Sequence, residues 1–185
     1  MRPMQQFGSA TTITPGIRLI LLDCFETLVE LDGQTYRPRL GMSEFLTHFS
    51  ARIGVPIVVI SDAPQALVEQ AIAQARLSSF IVAVYHAGNA MEQLPEGRAR
   101  KRLDIPVADF GVKGDQAVFI GDSPLDAEAA QHHHVRFIRV PRSEDRTFTF
   151  ASLITGPSRY QSQEFNLTFL DRYRKGGPDK RGGKS

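Results

Sequence analysis

The sequence predicts an α/β protein, a three-layer α/β/α sandwich around a mainly parallel, Rossmann-like sheet. Three observations lead there. Short apolar runs, such as Leu19-Ile20-Leu21-Leu22 and Ile57-Val58-Val59-Ile60, have no polar face and so belong to strands covered on both sides. Helical patterns separate them at intervals suited to right-handed crossovers. Three of the runs end in polar groups, at Asp23, Ser61 and Gly121-Asp122, and the carboxyl ends of such strands converge on one crevice.

Residues 1–16, punctuated by Gly8, Pro15 and Gly16, read as an irregular N-terminal arm, with the first strand starting near Ile17. A polar passage through Asp32, Gly33 and Arg37 leads to a helix over Phe45, Leu46, Phe49 and Ile53, with Ser43 as its expected cap and Gly54 as its stop. The second strand ends at Ser61. Asp62 is expected to cap the next helix, which has Pro64 in its first turn and an apolar stripe at Leu67, Val68, Ala71 and Ile72. Residues 80–85 read as the third strand. A helix is expected near 96–103, where Arg98, Arg100, Lys101 and Arg102 precede Leu103, Ile105 and Val107. A strand over 117–120, a helix over 127–133 and a strand over 135–140 complete the pattern, and 142–173 read as mixed loop and short helix. With 185 residues, 42% of them hydrophobic, the chain can build one well-buried core, assigned to a single domain over 17–171. The Arg-, Lys- and Gly-rich residues 172–185 read as a basic flexible tail.

A net charge of +2 does not argue for nucleic acid, although the pI of 8.8 is weakly basic. The single cysteine, Cys24, excludes an intramolecular disulfide or a multi-cysteine metal site and fits a reducing, cytoplasmic compartment. No stretch approaches the ~18 apolar residues of a membrane span, so no membrane partner is expected.

Asp23 and Asp122 at neighbouring strand ends, with Asp126 four positions on, suit a hard divalent cation such as Mg2+. A carboxylate beside such a cation could also attack phosphorus. The ordered set Asp23-x-x-x-Thr27, Ser61, Lys101 and Gly121-Asp122-Ser123-Pro124-Leu125-Asp126 resembles the four motifs of the haloacid dehalogenase-like superfamily, mostly phosphatases and phosphotransferases. The resemblance implies that Asp23 is the nucleophile and that Asp23, the Phe25 backbone carbonyl and Asp122 hold Mg2+, with Asp126 acting through water or fixing the loop. It further implies that Ser61, Asp62 and Lys101 bind the phosphoryl group. The implied partner is a phosphorylated small molecule or macromolecule.

Phe25 departs from the pattern, because phosphatases of the superfamily usually carry a second aspartate there to move protons, which Phe cannot do. Glu26 is an acid one position away, but on an extended segment it would point to the opposite side. Phe25 leaves a slow magnesium-dependent phosphatase and a non-catalytic binder of a phosphorylated ligand both open. The dehalogenase branch, which also carries an aromatic there, remains as a third reading, although it tends to lack the Gly-Asp-x-x-x-Asp pattern. The intervals leave no room for a cap domain beyond a small flap within residues 24–42. An open site would then look to a large ligand or a homo-oligomer to exclude water. His132, His133 and His134 read as the end of a helix, with His134 in a left-handed turn, and not as a metal site. Cys24 reads as a buried neighbour, since no base is available to activate it.

Overall fold

The computed structural model describes residues 13–154; the expected tail, most of the arm and the region beyond Ile154 lie outside the described residues. Leu19–Leu22 (β1) is buried at every position. Val29–Asp32 (β2) and Thr35–Pro38 (β3) form an antiparallel hairpin that turns at Gly33. Met42–Leu46 (α1) continues as a π-helical stretch, Thr47–Ile53, which stops at Gly54 in the left-handed conformation, as the sequence predicts. Ile57–Ile60 (β4), Gln65–Gln74 (α2) and Ile81–Tyr85 (β5) follow. A second hairpin pairs Met91–Gln93 (β6) with Ala99–Lys101 (β7). Asp104–Asp109 (α3), Ala117–Gly121 (β8), Pro124–His132 (α4) and Arg136–Arg139 (β9) complete the domain, with a 3-10 turn at Phe150–Leu153.

Five strands make one parallel sheet in the order β5-β4-β1-β8-β9. Alternation along each strand divides the core between its faces. Ile20, Leu22, Ile57, Val59, Val118 and Ile120 face Phe45 and Phe49 of the first helical segment and Val68 and Ile72 of α2. Leu19, Leu21, Val58, Ile60 and Phe119 face Leu103, Phe110 and Ala129 on the α3 and α4 side. Strands apolar on both faces are thus the direct consequence of helices on both faces. The chain runs outward from β1 to β4 and β5, then returns to place β8 on the other side of β1. The carboxyl ends of β1 and β8 therefore flank a topological switch point, where α/β sheets bind ligands. Among the described residues, no helix is long and apolar enough to cross a membrane.

Three local expectations are corrected. Residues 96–103 do not form a helix. Glu96 and Gly97 hold left-handed φ values of 69° and 74°, which break a right-handed helix, and the chain turns there into β7. Ser43 is the second residue of α1 and not its cap; Gly41, at φ 75°, occupies that place without a side-chain bond. Asp62 caps nothing either, since Pro64 is the residue at the start of α2.

Gly41 meets both a conformational and a steric demand. Its φ is left-handed, and an added Cβ would lie 2.1 Å from Thr149 Oγ1 and 2.6 Å from the Ala151 nitrogen. Gly41→Ala should destabilise the domain by about 2–4 kcal/mol, read as a lowered urea midpoint; an unchanged midpoint would contradict this packing.

Candidate active site

The Asp23 N–H donates to the Ile120 carbonyl at 2.9 Å, extending the β1–β8 ladder one residue beyond β1. The chain then folds into a tight turn, in which the Leu28 and Val29 N–H groups donate to the Cys24 carbonyl at 2.9 and 3.0 Å. That turn buries Thr27 and aims its hydroxyl at Asp122 Oδ1, 3.2 Å away. Ser123 caps α4 and shares a reciprocal capping box with Asp126. The Asp126 N–H donates to Ser123 Oγ at 3.1 Å, and the Ser123 N–H donates to Asp126 Oδ2 at 3.3 Å. A Cβ on Gly121 would lie 2.4 Å from Asp126 Oδ2, so the glycine gives the carboxylate room.

Lys101 arrives from the second hairpin. Along β7 its side chain turns inward, while that of Arg100 turns outward to Glu92, 2.9 Å away. Lys101 Nζ donates to Asp23 Oδ1 and to Asp126 Oδ1, each at 2.6 Å, and lies 5.5 Å from the centroid of the Phe119 ring. All three ionic groups are buried. Asp23, Asp122 and Asp126 each bring a carboxylate oxygen into one group whose members lie within 4.8 Å of one another.

Burial raises the Asp23 carboxyl to about 7; Lys101 opposes the shift, and Asp126 and Asp122 add to it. Burial alone would lower the Lys101 ammonium, but Asp23 and Asp126 overcome it and hold the lysine protonated above its ordinary range. The Cys24 thiol is pushed up to about 12, first by burial and then by the charge of Asp23, which excludes a thiolate nucleophile at neutral pH.

Ser61 is fully buried at the end of β4, and its Oγ accepts the Ala63 N–H at 3.2 Å; Asp62 beside it is exposed. Phe25 packs against Tyr36 of the first hairpin, with ring centroids 5.3 Å apart. Glu26 is not on an extended segment, because its φ is 63°. Its Oε2 accepts the Ser143 N–H at 2.9 Å and lies 3.9 Å from Arg142 Nε. Although burial works to raise the Glu26 carboxyl, those contacts hold it below its ordinary value, so it is ionised at neutral pH and has no proton to donate. His134 takes the left-handed conformation expected of it, at φ 55°.

Sequence reasoning missed a buried charge network beside this turn. Arg39 places Nε 3.4 Å from Glu30 Oε2 and donates from its other nitrogens to the Glu26 carbonyl and, at 2.8 Å, to the Pro141 carbonyl. Glu30 also receives Arg37 at 2.8 Å and Arg146 at 2.9 Å. The pairings to Pro141 and Arg146 span more than a hundred positions, and no local pattern announces them.

The donor set fits a hard divalent cation. It is all oxygen, and three carboxylates share one buried ammonium, with Arg142 reaching Asp122 only from the exposed rim at 3.7 Å, so acidic groups outnumber the buried cation. Asp126 has one oxygen on Lys101 and the other on the Ser123 N–H, which leaves Asp23 and Asp122 as the carboxylates better placed to ligate. Among the described residues, His132, His133 and His134 form no such group.

An acidic triad and a buried lysine at the switch point of a parallel sheet define an α/β protein with a charged site suited to a cation. The family model for haloacid dehalogenase-like hydrolases matches residues 27–134, more than half of the chain, and the protein belongs to that family. The match takes in Ser61, Lys101, Asp122 and Asp126; Asp23 precedes it and is tied to the site by its own contacts. No curated protein is detectably similar in sequence. Solved structures share the fold at low identity. A predicted phosphoglycolate phosphatase from Haemophilus somnus is 14% identical with a TM-score of 0.56, over 75% of this chain and 97% of that one. A haloacid dehalogenase-like hydrolase from Streptococcus pneumoniae is 13% identical with a TM-score of 0.56, over 86% and 100%. CbbY from Rhodobacter sphaeroides, in complex with xylulose-(1,5)bisphosphate, is 13% identical with a TM-score of 0.56, over 73% and 91%.

The raised Asp23 carboxyl makes metal-free stability depend on pH. A carboxyl at about 7 in the fold and 3.8 outside it binds its proton more tightly when folded. Its contribution is fully present below the unfolded value and is lost as pH rises through about 7. Metal-free Asp23→Asn should therefore melt above the parent at about pH 8, with the gap closing toward about pH 4. A parent that melts higher at the alkaline end would contradict the assignment.

Proposed function

We propose that the protein is a phosphatase-type hydrolase that uses Mg2+ and passes the phosphoryl group of a phosphate monoester through Asp23. The observation that carries this reading is the buried meeting of Asp23, Lys101, Asp122 and Asp126 beyond the ends of β1 and β8. Among proteins of like fold, a predicted phosphoglycolate phosphatase and a complex with xylulose-(1,5)bisphosphate support the substrate class.

Asp23 attacks phosphorus, the bond from phosphorus to the leaving oxygen breaks, and that oxygen takes a proton from solvent. Water then attacks the aspartyl-phosphate and gives up a proton, releasing inorganic phosphate and restoring the carboxylate. Lys101 steadies Asp23 and balances phosphoryl charge. The Ser61 hydroxyl donates to a phosphoryl oxygen. Asp62 contributes through its backbone N–H, since its carboxylate would repel the group. Asp23, the Phe25 carbonyl and Asp122 would hold Mg2+, with Asp126 behind them, and the ion would supply charge neutralisation at the phosphoryl oxygens. Among the described residues two hairpins flank the sheet, and in this reading the protein is a capless, single-domain member acting in the cytoplasm on an openly presented phosphate. Water exclusion then falls to a large phosphorylated substrate or to a second copy of the chain.

Phe25 favours a second reading, a catalytically weak binder of phosphorylated ligands. It supplies no proton to the leaving oxygen and packs on Tyr36 instead. Turnover should consequently depend on leaving groups that depart unaided, with aryl phosphates cleaved faster than alkyl phosphates. A carbon-halogen hydrolase needs no metal and would leave the gathering of Asp122 with Asp23 and Asp126 unexplained.

Phosphate release from para-nitrophenyl phosphate and glycerol phosphate, with Mg2+ or chelator, tests the assignment. The parent should require Mg2+ and prefer the aryl ester, and Asp23→Asn should abolish turnover. Phe25→Asp should raise the alkyl rate on the order of 10²-fold. An inert parent awakened by Phe25→Asp would support the binder instead. Metal-independent halide release from a 2-haloacid would overturn both.

A further inference from the structure

Beyond its long-range contact with Glu26, Arg142 has no role in the site as described so far. It follows β9, and its side chain is 59% exposed, with Nε 3.7 Å from Asp122 Oδ2 and 3.9 Å from Glu26 Oε2. Both distances are in ion-pair range and beyond the 2.7–3.2 Å of a hydrogen bond, so neither carboxylate claims the guanidinium closely.

The backbone on each side of Arg142 is nevertheless pinned. The Pro141 carbonyl accepts from the buried Arg39 at 2.8 Å, and the Ser143 N–H donates to Glu26 at 2.9 Å. One residue earlier, the Val140 N–H donates to the Gly121 carbonyl at 3.0 Å, immediately before Asp122. A buried arginine is costly to keep, yet here it fixes the base of an exposed one. A solvated surface charge needs no such support, whereas a recognition residue gains from being held in place.

The environment of Asp122 separates two cationic positions. Its Oδ1 receives Thr27, and its Oδ2 faces Arg142 at the rim. Lys101 lies buried on the side of Asp23 and Asp126, where the phosphoryl group would be handled. Resting on the phosphatase reading, we infer that Arg142 pairs with a second anionic group of the substrate, which makes the substrate class phosphate monoesters that carry another negative charge. The planar guanidinium fork suits a carboxylate or a second phosphate equally.

Calorimetric binding to the Asp23→Asn protein with Mg2+ tests this without turnover. The probes are phenyl phosphate, para-carboxyphenyl phosphate and para-phenylene bisphosphate. The two doubly charged esters should bind about tenfold more tightly than phenyl phosphate. Adding Arg142→Gln should erase that preference while leaving phenyl phosphate nearly unchanged, and Arg142→Lys should keep part of it. Retention by only one of the two probes would identify the second group as carboxylate or phosphate. Equal affinity for all three esters, or an equal loss for all three in Arg142→Gln, would overturn the inference. Binding of none would overturn the phosphatase reading together with it.

Discussion

Lys101 holds an ammonium group out of water between two carboxylates, and the rest of the site is arranged around that fact. Burying a charge costs several kcal/mol, and a pair recovers the loss only with close geometry and further hydrogen bonds. Two contacts of 2.6 Å and the face of Phe119 provide them. A third carboxylate, Asp122, stands in the same group and meets a second cation, Arg142, only at 3.7 Å from the exposed rim. The site is thus stable enough to fold and still short of positive charge. That deficit is what a divalent cation would satisfy, leaving the ion to meet an anionic ligand.

Several otherwise unrelated features serve this arrangement. The β6–β7 hairpin carries Lys101 back to the sheet, after a left-handed turn at Glu96 and Gly97. The capping box of α4 fixes Asp126 while Gly121 makes space for it. On the opposite side, Arg39 and Glu30 lock the turn after Asp23 to the first hairpin and to the segment after β9. Phe25 belongs to this framework through Tyr36. The turn thus holds Asp23 in place while Phe25 packs on the hairpin.

Much of this was legible in the residues. Asp23 and Asp122 each close an apolar run, and the pairing of β1 with β8 sets those two ends side by side. Lys101 was found by its place in the motif order, while its element was misjudged as helical. A period-two signal was present, since Ala99, Lys101 and Leu103 alternate with Arg98, Arg100 and Arg102, and the dense basic run obscured it. Glu26 was misplaced for a different reason. Its direction depends on a left-handed backbone within the tight turn, where its N–H donates to the Val29 carbonyl and its carbonyl accepts from Arg39, while Ser143 holds its carboxylate. The Glu30 network was missed as well, since its residues taken singly look like solvated charges.

The central claim is that Asp23 accepts a phosphoryl group with Lys101 and the acidic cluster around it. Its most direct test is to incubate the protein with a radiolabelled aryl phosphate and Mg2+, quench in acid, and locate the label by peptide mass spectrometry. The account predicts a phosphoryl group on the peptide containing Asp23 and none in Asp23→Asn. Turnover without labelling of that peptide, or label on another residue, would contradict it.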